Sequence, residues 1–185
     1  MKKIALAAAL TGMMAAASAQ VYVAGNVGQS HFSADCSGVD NCDKSDVGYK
    51  LTVGYKLNPL VAIEASYVDF GKVKGTVRES GVPVNVDIKS NGLLFAAALR
   101  YQAAPALDLV GRLGLSSLKS KATASAFGVN ASESYSSTKP YIGLGVEYAL
   151  NKQLRLTAGA DFTRIKLDGE SGSVRLLSVG TQYDF

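Results

Sequence analysis

From Val21 to Phe185 the chain repeats one device: apolar positions alternate with small or polar ones for about ten residues, and a break rich in Gly, Pro, Asn or Ser follows. A period of two marks a β-strand with one oily face, so the chain reads as all-β. Eight such segments can be placed: Val21 to Ser30, Val47 to Leu57, Leu60 to Gly71, Ser90 to Gln102, Leu107 to Leu118, Lys139 to Leu150, Gln153 to Ile165, and Ser173 to Phe185. Each reaches the ~9 to 11 residues that a tilted strand needs to cross a bilayer.

The connections alternate in length. Short ones fall at Asn58 and Pro59, at Ala103 to Ala106, and at Asn151 and Lys152; long ones run from His31 to Asp46, Lys72 to Lys89, Lys119 to Thr138 and Lys166 to Gly172. Short turns at one end and long loops at the other describe an up-and-down antiparallel barrel, and an even strand count puts both termini at the short-turn end. The second long loop keeps alternating through Val73, Val77, Val82, Val84 and Val86, which predicts a hairpin continuing past the barrel wall. The third, "SKATASAFGVNASESYSST", is small and polar enough to be mobile.

Alternation alone does not separate a membrane barrel from a soluble one; the contents of the two faces do. In the sixth segment Ile142, Leu144, Val146 and Tyr148 oppose Tyr141, Gly143, Gly145 and Glu147, and in the seventh Leu154, Leu156, Ala158, Ala160 and Phe162 oppose Arg155, Thr157, Gly159 and Asp161. Eight bulky faces would overfill a narrow interior, whereas small residues carrying charges suit it. An arginine facing lipid at midplane costs ~2 to 4 kcal/mol, so Arg100 and Arg112 belong in the lumen. Tyr49, Tyr55, Tyr67, Tyr101, Tyr148 and Tyr183 lie on the oily parity, several near strand ends, where aromatic girdles form. The reading is an eight-stranded antiparallel up-and-down transmembrane β-barrel, with a soluble secreted barrel as the fold alternative.

The leader changes the charge picture. "MKKIALAAALTGMMAAASAQ" has a basic start, an apolar run and small residues at Ala17 and Ala19, the pattern of a secretory signal cut after Ala19. The expected division is residues 1–19 as signal and 20–185 as barrel domain; a membrane anchor is the competing reading of the same run. Without Lys2 and Lys3 the formal charge falls from +4 to +2, and no case for nucleic acid remains. Cys36 and Cys42 lie close together in the turn-rich "DCSGVDNCDKSD" of an exported chain, which makes a local disulfide the economical reading. Asp35, Asp40, Asp43 and Asp46 lack calcium-loop spacing, and two cysteines do not complete a zinc site, so neither metal nor cofactor is expected.

On the inward parity Lys50, Glu64, Arg100, Arg112, Glu147, Arg155 and Asp161 fall on successive strands. Burial makes an unpaired charge expensive, which predicts an interior ladder of ion pairs. Such a ladder is either a satisfied plug or the gate of a small-solute pore. Catalysis has one handle: the single histidine, His31, stands beside Ser30 and Ser33, but nothing in the sequence places a carboxylate against it, and a non-enzyme is expected.

The signal, the eight amphipathic segments, "VGYKL", "IEASYVDFGK", "YIGLGVEYAL" and the terminal "VGTQYDF" together resemble the OmpA-type eight-stranded outer-membrane barrels of the opacity and porin-like small-barrel group. The resemblance implies the outer membrane of a Gram-negative cell, outer-membrane lipids including lipopolysaccharide as surroundings, and a monomer. It also implies an assembly signal read by the barrel assembly machinery at Tyr183 and Phe185, and a host or surface ligand at the outer loops. The peptidoglycan-binding domain of longer members is not expected, because the sequence stops at Phe185.

Overall fold

The computed structural model describes residues 20–33, 39–79, 82–126, 129–167 and 170–185. Nine antiparallel strands are present among them: β1 (Val21–Ser33), β2 (Val39–Asp43), β3 (Ser45–Lys56), β4 (Val61–Glu79), β5 (Val82–Ala104), β6 (Leu107–Ala126), β7 (Val129–Ala149), β8 (Leu154–Leu167) and β9 (Glu170–Asp184). Eight of them close an up-and-down barrel in the order β4-β3-β1-β9-β8-β7-β6-β5, with β5 returning to pair with β4. β2 stands outside that wall as a short strand on the outer part of β4, pairing Val39 with Val77. The predicted signal segment and Cys36 lie outside the described residues, and with them the pairing of Cys36 and Cys42.

Closure joins the first strand to the last. Tyr22 faces Asp184, Val23 faces Tyr183, and the register runs unbroken to Ser33 and Ser173. Phe185 donates its own backbone N–H to Val21 O at 3.1 Å. Two short turns are built by the same side chain: Asn58 Oδ1 accepts the N–H groups of Leu60 and Val61 at 2.9 Å, and Asn151 Oδ1 those of Gln153 and Leu154 at 2.8 Å. Each Asn supplies the local acceptor that a tight turn needs.

The outward parity is a continuous apolar belt. Val27, Val53, Leu99, Leu113, Leu144 and Val179 are all exposed, with Tyr49, Tyr55, Tyr67, Tyr101, Tyr148 and Tyr183 toward its two edges. In a soluble barrel these side chains would turn inward; here the buried set is different and smaller.

The staves are longer at the outer end than the periodicity predicts. β5 and β6 remain in register to Asn85 and Ser125, and β6 and β7 to Ala126 and Val129, so residues 119–126 and 129–138 are paired strands rather than a free loop. Ser and Ala side chains carry no strong strand signal, but the ladder is made by backbone groups, which pair regardless of the side chain attached. A bulge between Asp69 and Lys72 shifts the register of β4 against β5, with Gly71 at φ 75°, a conformation open to glycine at little cost.

Candidate functional site: a charged and plugged lumen

The inward parity of the wall brings ionic side chains from seven staves into one column. At its centre Glu64, Arg100, Glu147 and Arg112 form a closed ring. Glu64 Oε2 accepts from Arg112 Nε at 2.7 Å and Oε1 meets Arg100 Nη2 at 3.4 Å. On the other side Glu147 Oε2 accepts from Arg100 Nε at 3.2 Å, and Oε1 from Arg112 Nη2 at 3.3 Å. Each carboxylate thus serves both guanidiniums, and the ring carries no net charge.

Space for the ring comes from its neighbours. Arg112 sits opposite Ala98 on β5 and Gly143 on β7, and Arg100 opposite Val110, so long side chains cross a bore floored by small ones. Tyr22 completes the layer: its hydroxyl donates to Glu64 Oε1 at 2.6 Å and accepts from Arg100 Nη2 at 2.8 Å, and its ring lies 4.8 Å from the Arg100 guanidinium carbon.

Above the ring, Lys50 Nζ bonds Asp161 Oδ2 at 2.5 Å, and the Tyr141 hydroxyl donates to Asp161 Oδ1. Below it, Arg155 bridges Asp108 at 2.5 Å and Asp184 at 3.0 Å, and Lys56 reaches Asp184 at 3.0 Å. All seven charged residues marked from the inward parity therefore stand in the lumen. Tyr22, Tyr141, Lys56, Asp108 and Asp184 join them and were not marked. Asp108 and Asp184 share the inward parity of Arg112 and Gln182, so the same alternation was the available signal.

The lumen closes as it rises. At the short-turn end a vestibule of about 460 Å³ is lined by Lys56, Asn58, Gln102, Asp108 and Arg155, with Arg100 on its inner wall. Between the ring and Asp161 the free space falls to about 20 Å³, room for one water. Beyond Asp161 the bore is filled by Phe32, Val68, Phe70, Leu94, Leu118 and Leu176, all buried, with Phe32 and Phe70 packed edge to face at 6.4 Å. These large apolar residues occupy the parity that carries small and charged residues lower down.

His31 does not assemble a hydrolytic site among the described residues. Its Nδ1 lies 3.0 Å from Ser45 Oγ, while Ser30 Oγ donates to the carbonyls of Phe70 at 2.5 Å and Asp46 at 3.1 Å. With its hydroxyl committed to two carbonyl oxygens, Ser30 is not paired with the His31 ring.

At the outer edge of the belt, Asp69 accepts from the Tyr49 hydroxyl at 3.0 Å and from the Gly71 N–H at 2.9 Å, and pairs with Lys89 at 2.9 Å.

Residues 4–185 match the family model described as an outer membrane protein beta-barrel domain. Outer membrane protein A of Serratia marcescens is 30% identical over 211 aligned residues, which cover 100% of this chain and 56% of the relative. Its counterpart in Yersinia pseudotuberculosis is 31% identical over 203 residues, with the same two shares. The chain thus spans about half the length of the curated relatives it matches. Among solved structures, Ail, the attachment invasion locus protein of Yersinia pestis, has a TM-score of 0.60 at 23% identity, covering 91% of this chain and 100% of that one. A second Ail structure, in complex with the heparin analogue sucrose octasulfate, has a TM-score of 0.54 at 21% identity and covers 90% and 99%. Neisserial surface protein A has a TM-score of 0.59 at 17% identity over 89% and 97% of the two chains.

Proposed function

The chain belongs to the outer membrane protein beta-barrel family, and from that premise we propose that it is a non-enzymatic, non-conducting barrel whose work is done at its outer end. It stiffens the envelope and presents its outer hairpins to ligands at the cell surface. One observation carries this reading: the ion-pair ring and the apolar plug above it fill the lumen in series, while β4 to β7 carry their pairing well past the belt, on β6 from Leu115 to Ala126.

A satisfied, neutral ring is a structural cross-link. Breaking it would leave two buried carboxylates and two buried guanidiniums unpaired, and opening the plug above would uncover Phe32, Phe70 and Leu94 as well. The Ail complex with a heparin analogue supports charged extracellular molecules as the ligands to try first. Tyr183 and Phe185, packed edge to face at 5.0 Å on the lipid side of β9, are the surface we assign to recognition by the assembly machinery. Among the described residues no carboxylate pairs with His31 to support the hydrolase reading.

The test is conductance. Residues 20–185 refolded in detergent and placed in a planar bilayer are expected to be silent, with folding checked by heat-modifiable gel migration. Steady discrete steps that change in Arg112→Ala would overturn the proposal and make the protein a small-solute channel.

A further inference from the structure

The outer edge of the β4–β5–β6 wall carries like charges in register. Lys72 on β4 is directly opposite Lys89 on β5, and Lys89 is directly opposite Lys121 on β6. Their neighbours Val73, Ile88 and Ser120 turn inward, so all three lysines face out, and Lys119 joins them two residues nearer the belt. Like charges directly opposite one another destabilise a sheet. Lys89 is relieved by Asp69. Lys72, Lys119 and Lys121 are exposed, and among the described residues their ammonium groups meet no carboxylate. Of the other acids nearby, Asp46 is engaged by the backbone N–H groups of Val47 and Lys72 at 2.8 and 2.7 Å, and Asp87 lies two residues farther out than Lys89.

Height selects what neutralises them. Leu93 and Leu115 are exposed aliphatics of the belt, and Lys89 and Lys119 stand four residues beyond them. At ~3.3 Å per residue and a tilt near 45°, that is about 9 Å above the hydrocarbon. The headgroup layer is roughly 5 to 8 Å deep, and lysine stems bend back toward it. The Lys89 and Lys119 ammonium groups therefore reach the level of lipid phosphates, with Lys72 beside Lys89 and Lys121 two residues farther out than Lys119.

Directly beneath, the same wall is hollow. A groove of about 580 Å³ is floored by Ala65 and Ala97 and walled by Ile63, Phe95, Leu113 and Leu115. Its exposed lining is apolar and open to the lipid side, so an acyl chain can lie in it.

We propose that the β4–β5–β6 wall is a specific lipid site: Lys72, Lys89, Lys119 and Lys121 hold the phosphate of an outer-leaflet lipid, and the Ala65–Ala97 groove holds one of its acyl chains. The bound lipid neutralises the lysine ladder at the foot of the tall hairpins. This assignment depends on the position of the wall in the membrane and is independent of whether the lumen conducts.

The test is native mass spectrometry of the detergent-solubilised protein with four probes: dioleoyl phosphatidic acid, the diacylglycerol with the same chains, soluble glycerol phosphate, and sucrose octasulfate. Phosphatidic acid is expected to be retained at a concentration at least tenfold lower than diacylglycerol. Lys72→Gln/Lys119→Gln/Lys121→Gln, which removes three exposed and unpaired ammonium groups, is expected to abolish that preference while keeping the folded gel migration. Ala97→Leu should weaken both lipids alike, and Arg164→Gln/Arg175→Gln, on β8 and β9, should change neither. The proposal is overturned if phosphatidic acid and diacylglycerol bind equally, or if the triple variant keeps the preference. Lysine-dependent binding of glycerol phosphate or sucrose octasulfate as tight as that of phosphatidic acid would also overturn it, in favour of a soluble polyanion site.

Discussion

Neutralising Glu64 isolates what the central ring contributes. Glu64→Gln keeps the side-chain volume and an acceptor for the Tyr22 hydroxyl, but takes the carboxylate from Arg112 at 2.7 Å and from Arg100 at 3.4 Å. At an effective dielectric near 20 a close pair is worth roughly 4 kcal/mol of gross attraction, and removing one member of a buried pair costs about 3 to 5 kcal/mol because the partner's charge stays buried. Two guanidiniums would then share Glu147 alone, so we expect a loss of about 3 kcal/mol. Arg112→Met should cost about the same by the opposite imbalance. The double variant restores neutrality through Arg100 and Glu147, and should cost about 4 kcal/mol rather than the sum of about 6, a coupling of about 2 kcal/mol. The assay is equilibrium urea unfolding in lipid vesicles. Because the chain has nine Tyr and no Trp, it is followed by tyrosine emission and by gel migration. A double variant whose loss equals the sum of the two single losses would refute the coupled ring and leave four independently solvated charges.

Two further predictions test other levels of the barrel. Leu94, 1% exposed in the apolar plug, should cost about 2 to 5 kcal/mol in the same unfolding assay when replaced by Ala, without opening a conductance, because the ring below still fills the bore; a loss under 1 kcal/mol would mean that the plug is loosely packed. Asp69 holds Lys89 at 2.9 Å and the Tyr49 hydroxyl at 3.0 Å, so Asp69→Asn should lower stability in the same assay, and an unchanged midpoint would refute the assignment.

Much of this was legible in the residues, for a physical reason. Strict period two over ten-residue runs leaves one parity that must avoid water and another that must avoid lipid, and charges such as Arg100, Arg112 and Asp161 admit only the inward side. The wall, its closure by the "VGTQYDF" strand and the identity of the seven lumen charges all follow from that one rule. Tyr22 and Tyr141 escaped it because a tyrosine is at home on either side, and its hydroxyl partner is not written in its own strand. Phe32, Phe70 and Leu176 escaped it because parity says only which way a residue faces: an oily inward residue has no place until the closed bore brings the others against it.

Periodicity by itself determined which residues share a face and that the face is oily, because the alternation is a property of each strand alone. Only the closed barrel decided who meets whom. Glu64 touches Arg100 and Arg112 across the bore, and Lys50 meets Asp161 from 111 residues away, because strand tilt and stagger set the height of each side chain. The same stagger stacked the apolar plug on the ring and set three lysines side by side above a hollow in the wall, neighbours that no single strand contains.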